Sequence, residues 1–126
     1  MVVAAVAMAL LLVSWQRDSE ACTDSVKDVL FALRDDAPEP ELDATIEAVE
    51  DDCEGSAQLI DTGGVLLQQG EPQRAARTFR EAADREPESF SAWAGLALAL
   101  ARDDPDGAAE AARRARALNR YYRPPS

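Results

Sequence analysis

The chain contains no histidine. This excludes histidine-based acid–base chemistry, and with it the common hydrolase triads and most catalytic zinc sites. Aromatic residues are scarce, 6% of the chain, while hydrophobic residues reach 47% because so many are alanine. Few β-branched runs occur. A composition dominated by alanine and other helix formers argues for closely packed helices. At 126 residues there is room for one small domain of roughly 100 residues beyond the N-terminal segment. With only two cysteines and no histidine, a tetrahedral structural zinc site cannot be completed. No cofactor is expected.

Basic residues are scarce in the first half. Residues 18–61 hold 15 acids against Lys27 and Arg34, whereas residues 62–126 hold 9 acids and 10 arginines, for a net charge of −11 overall. An acidic first half repels phosphates and disfavours nucleic acid as a partner. Much of that charge reads as a solvated surface.

Charge is wholly absent from residues 1–15, MVVAAVAMALLLVSW. As a helix this run spans about 22 Å, short of the roughly 30 Å hydrocarbon core. Three readings compete. A membrane anchor would place Trp15 at the interface and Arg17 just beyond it. A secretory signal would use Ser19 and Ala21 as the small residues before a cleavage at Cys22, although no Lys or Arg precedes the apolar run. A lipoprotein signal lacks its usual leucine and carries the charge of Glu20. A buried helix would need the polar face that this run does not have.

Beyond this segment, periodicity predicts helices. Val26, Val29, Leu30 and Leu33 form a stripe within 23–35, and Asp36-Ala37-Pro38-Glu39-Pro40 breaks it. Leu42, Ile46 and Val49 mark a second helix over about 40–52. In an antiparallel hairpin the start of the first helix and the end of the second come to the same side. Cys22 and Cys53 therefore suit a disulfide, worth roughly 3–4 kcal/mol by chain entropy. A disulfide implies an oxidising compartment, and two buried thiols in a cytosolic core are the alternative.

Residues 56–87 carry Leu59, Leu66 and Leu67 at helical spacing, then the break Gly70-Glu71-Pro72, then Ala75, Phe79 and Ala82 on one face before Pro87. This stretch resembles the tetratricopeptide repeat (TPR). Gly63, Ala75, Phe79, Ala82 and Pro87 stand at the family's eighth, twentieth, twenty-fourth, twenty-seventh and thirty-second positions. In residues 88–118, Trp93 and Leu96 match the fourth and seventh positions, Ala97 replaces the glycine, and Asp104-Pro105 opens a second helix. Ala112 stands where a large residue is usual, and Arg120 where proline is usual. With Ile46 aligned on Phe79, residues 23–54 read as a degenerate first repeat at a 33-residue offset.

The resemblance implies an all-α fold: antiparallel helix-hairpin repeats, about three units of a TPR-like α-solenoid, following the apolar segment. Residues 1–17 are then an anchor or signal, 18–55 a degenerate hairpin, 56–118 the TPR-like repeats and 119–126 a flexible tail, with Tyr121 and Tyr122 folding back over the final helix. It further implies a concave groove lined by the first helix of each unit. Carried over position by position, the groove takes Lys27, Phe31 and Arg34, then Ile60 and Leu67, then Leu98. The function so implied is non-enzymatic. It is a scaffold, tethered to or exported across a bacterial envelope membrane through residues 1–15, that binds a protein or peptide segment.

Two rivals stand beside it. The chain also reads as the C-terminal accessory tail of a multispanning envelope glycosyltransferase resembling O-antigen ligases, because the apolar segment starts abruptly and lacks a positive flank. Alanine-rich repeat ends also invite self-association. Two acidic stretches carry less. Glu50-Asp51-Asp52 points its acids in several directions around a helix. Arg102-Asp103-Asp104-Pro105-Asp106-Gly107 has arginine at the first ligand position of a calcium loop, and so reads as a helix–helix turn.

Overall fold

The computed structural model describes residues 2–125. Six helices account for the regular structure of these residues: α1 (Val2–Arg34), α2 (Glu39–Asp52), α3 (Ala57–Gln68), α4 (Pro72–Arg85), α5 (Phe90–Leu100) and α6 (Pro105–Leu118). The fold is all-α. The chain divides into two units, Met1–Cys53 and Glu54–Ser126.

In the first unit, α1 is unbroken for 33 residues, about 50 Å. The apolar run and the helix expected over 23–35 are thus one element. No proline or glycine occurs before Pro38, so nothing in the backbone stops the helix at Gln16-Arg17-Asp18. It ends instead with Asp36 in the left-handed region at φ 49°. The Ala37 N–H bonds to the Ala32 carbonyl at 2.9 Å and the Asp36 N–H to Leu33 at 3.4 Å, the Schellman pattern. Pro38 then directs the chain into α2, where Glu39 and Glu41 in the first turn complement the helix dipole.

The face of α1 packed against α2 is Cys22, Ser25, Val29 and Ala32, opposite Leu42, Ile46 and Val49. This corrects the stripe read from hydropathy. Leu30 is exposed and Val26 and Leu33 are only half-buried, because the hairpin selects small residues for close approach. Cys22 and Cys53 form a disulfide across the open end, with Cα atoms 4.7 Å apart. Beside it the Ser25 hydroxyl donates to the Asp52 carboxylate, so the acidic run at the end of α2 is partly tied into the hairpin. A hairpin with so few large core residues gains much of its stability from such a staple.

In the second unit, α3 packs on α4, α4 on α5 and α5 on α6, and α3 also touches α5. Leu59, Leu66, Phe79 and Leu96 are its large buried side chains. Ala75, Ala82, Ala92, Ala112 and Ala115 fill the rest. The Phe79 ring is wedged between two glycines. A Cβ on Gly63 of α3 would stand 3.0 Å from the ring, and one on Gly95 of α5 would stand 2.3 Å from it. Gly95, which the repeat alignment passes over, is therefore the tighter of the two approaches.

Turns in this unit follow from their residues. Gly70, at φ 80°, closes α3 with a second Schellman pattern, Glu71 N–H to Leu66 carbonyl at 2.9 Å and Gly70 N–H to Leu67 at 3.2 Å. The Ser56 hydroxyl donates to Glu86, and Ser89 caps α5 by accepting from the Ala92 N–H. Asp104 caps α6 by accepting from the Gly107 N–H at 3.0 Å, with Pro105 in the first turn. The expected return of the tyrosines over the final helix is replaced by another contact. Tyr122 meets Phe90, at the start of α5, edge-on at 5.3 Å, while Tyr121 is exposed beneath Arg120.

Candidate functional site

Residues 2–15 are exposed throughout. α1 is the one helix among the described residues long and apolar enough to cross a membrane, by length and composition; a signal sequence near an N-terminus passes the same test. With the disulfide, this is what the fold says of location: an apolar N-terminal helix and a bond that suggests an oxidising compartment.

The six groove residues fall three on each unit. On the first, Lys27 pairs with Asp24 at 3.7 Å, both well exposed, so the pair contributes little to stability. Phe31 is half-exposed. The Arg34 guanidinium lies 4.9 Å over its ring and donates to Asp35 at 2.8 and 3.1 Å. Those hydrogen bonds hold the Asp35 carboxyl below the usual carboxylate range. Phe31 also lines a shallow cavity of about 330 Å³ with Asp28, Ala32, Asp35, Glu41 and Thr45, where α1 ends and α2 begins. Lys27 and Arg34 lie outside that lining.

On the second unit, Leu67 and Leu98 come together. They line one cavity of about 460 Å³ with Pro72, Ala99, Ala101 and Arg102, at the C-terminal ends of α3 and α5. Ile60, two turns earlier on α3, is half-buried and takes no part in it. Of the six expected groove residues, Leu67 and Leu98 thus share one cavity, while the Phe79 ring of α4 packs against Gly63 of α3 and Gly95 of α5. Arg102 and Ala101 escaped the sequence reading. The signal was present: Ala101 and Arg102 stand three and four residues after Leu98, in the turn that leaves α5.

The cavity's chemistry is simple. Aliphatic walls suit an apolar side chain, and its volume falls within the roughly 300–1,000 Å³ of ligand clefts. Arg102 supplies a planar cation able to pair with a neighbouring carboxylate. Two arginines of α4 are occupied in local ion pairs. Arg74 pairs with Glu71 at 2.6 Å and Arg85 with Glu81 at 2.9 Å. The outer face of α6 is polar, with Glu110 bonded to Arg113 and Arg114 and its carboxyl held below the usual range by those bonds. Ala112 is buried against the unit's own helices, which removes it as a self-association surface.

Compared with family models, curated proteins and solved structures, the chain finds no match.

Proposed function

We propose that the chain is a non-enzymatic protein–protein interaction scaffold of the tetratricopeptide type, tethered at or exported across a bacterial envelope membrane, that holds an apolar segment of a partner protein. The observation that carries this reading is the pairing of Leu67 and Leu98 in one aliphatic cavity, on helices locked together through Phe79. Rigid hairpins presenting a preformed apolar recess suit segment capture, since little ordering entropy is lost on the scaffold side. One or two side chains then dominate affinity. The exposed apolar start of α1 and the Cys22–Cys53 bond support placement on the extracytoplasmic side.

The test is co-purification of the full chain from membranes of its native host, with Leu67→Asp and Leu98→Asp compared against Arg80→Glu, a change on the exposed side of α4. Loss of the partner in the first two alone supports the reading. Retention in all three overturns it. One feature favours the glycosyltransferase-tail reading as the second choice: the wholly exposed apolar face of residues 2–15 is what a neighbouring membrane helix would cover. Even then this chain would assist and not catalyse.

A further inference from the structure

Two exposed features of this molecule are complementary. On α1, Leu30 and Phe31 stand 44% and 50% exposed, although the hairpin core is built from other residues of the same helix. Asp28 lies one turn before Phe31, within a stretch of 15 acids and two bases, while Asp35, one turn after it, is bonded to the Arg34 that stacks on the Phe31 ring. On the other unit, the cavity lined by Leu67, Pro72, Leu98 and Ala101 is apolar, with Leu98 46% exposed. Its charged lining residue is Arg102. The neighbouring acids are engaged elsewhere. Asp103 accepts from Gln73 at 2.8 Å, and Asp104 accepts from the Gly107 N–H. Among the described residues Arg102 itself makes no ion pair.

We infer that the occupant of the Leu67–Leu98 cavity is a second copy of this chain, which inserts Leu30 and Phe31 and brings Asp28 to Arg102. The inference rests on the cavity being a binding site, as proposed above, and goes further by naming the segment bound. Charge selects the direction of the contact. An apolar pair beside the Asp28 carboxylate, on a strongly acidic hairpin, meets an apolar recess flanked by a guanidinium, whereas two such acidic hairpins repel each other.

Such an interface is heterologous: each copy uses one surface to give and a different one to receive, so assembly continues beyond a dimer unless the rotation closes a ring. A single helix face entering one recess lies at the small end of specific interfaces, so association is weak and concentration-dependent in solution. Confinement of the chains by α1 to one membrane raises their effective concentration.

The experiment uses the full chain in detergent micelles, with the protein mass of the particle measured by light scattering at low and high salt. Phe31→Asp and Leu98→Asp are made separately. Both positions are about half-exposed, and unchanged far-ultraviolet circular dichroism melts verify that each variant is folded. Wild type forms species larger than dimers as concentration rises, and high salt weakens them by about two- to fivefold. Each variant alone is monomeric. An equimolar mixture of the two gives dimers and nothing larger, because one intact interface can form per pair. Arg102→Asp loses assembly, and adding Asp28→Arg to it restores assembly.

A monomeric wild type at all concentrations overturns the inference. So does assembly of unchanged size in both variants, which would place the contact in residues 2–15, and so does a mixture that stays monomeric. If wild type is monomeric while Leu98→Asp still abolishes partner co-purification, the cavity is a binding site and its occupant is a different protein.

Discussion

Gly95 offers the sharpest test of the packing that shapes the cavity. In an open helix interior, alanine in place of glycine stabilises by about 1 kcal/mol through backbone entropy. Here the added Cβ would stand 2.3 Å from Phe79 Cε1 and 2.5 and 2.6 Å from the ring carbons beside it. The ring cannot withdraw freely, because Gly63 of α3 bounds its other side with Cβ space of only 3.0 Å. Overpacking of this kind costs roughly 1–3 kcal/mol, and the short distance puts this case at the upper end. The two terms leave Gly95→Ala destabilised by about 1–2 kcal/mol.

The other glycines of the same unit supply internal controls. Gly64 has nothing within 4 Å of its would-be Cβ, so Gly64→Ala stabilises by about 0.5–1 kcal/mol. At Gly63 the two terms nearly cancel. For a unit of this size each kcal/mol moves the melting temperature by about 4–8 °C, so circular dichroism melts and urea titration resolve Gly64→Ala above wild type, Gly63→Ala close to it and Gly95→Ala below it. In a Phe79→Leu background the cost of Gly95→Ala falls by about 1 kcal/mol, a coupling that a double-mutant cycle reads directly. Gly95→Ala melting at or above wild type would refute the wedge that locks α3, α4 and α5 together.

Further outcomes follow from the same structure. Asp36→Gly removes a non-glycine residue from the left-handed position that closes α1 and raises the stability of the first unit by about 0.5–1 kcal/mol in urea titration. Replacing Cys22 and Cys53 together by serine lowers that unit's stability by roughly 3–4 kcal/mol, and thiol labelling of protein from host membranes finds no free thiol in wild type. Because the folded Asp35 carboxyl sits below its ordinary value of 3.8, its contribution is present above that pH and is lost as pH falls through the folded value. An NMR titration gives a midpoint below 3.8, and Arg34→Gln returns it upward. Ala112→Glu places a charge in the packed face of α6 and abolishes the cooperative melt of that helix. It therefore reports folding, not assembly.

Helix ends were legible wherever proline, glycine or a capping residue stood at them: Pro72 and Pro105 at helix starts, Gly70 at the end of α3, Asp104 before α6. The length of α1 is not legible because charge at Arg17 and Asp18 reads as a boundary, and charge alone does not stop a helix. Hydropathy ranks leucine above serine and alanine and so points Leu30 inward, while the hairpin packs on Cys22, Ser25 and Ala32. Small residues at close helix crossings carry almost no hydropathy signal.

The candidate site was legible in part. Leu67 and Leu98 came from repeat position, but Arg102 lies in a turn that such alignment ignores, and Gly95 sits one residue before the matched Leu96. The Gly63–Phe79–Gly95 wedge is a three-body contact among residues from three helices. Local pattern does not encode it.

The central claim is that the Leu67–Leu98 recess holds another polypeptide. It is tested most directly by placing a photo-crosslinking amino acid at Leu98 of the full chain in its native membrane, with Arg113 on the outer face of α6 as the control position. The account predicts one discrete adduct from Leu98 and none from Arg113, its mass telling a second copy from a different protein. An adduct yield at Leu98 no greater than at Arg113 would contradict it.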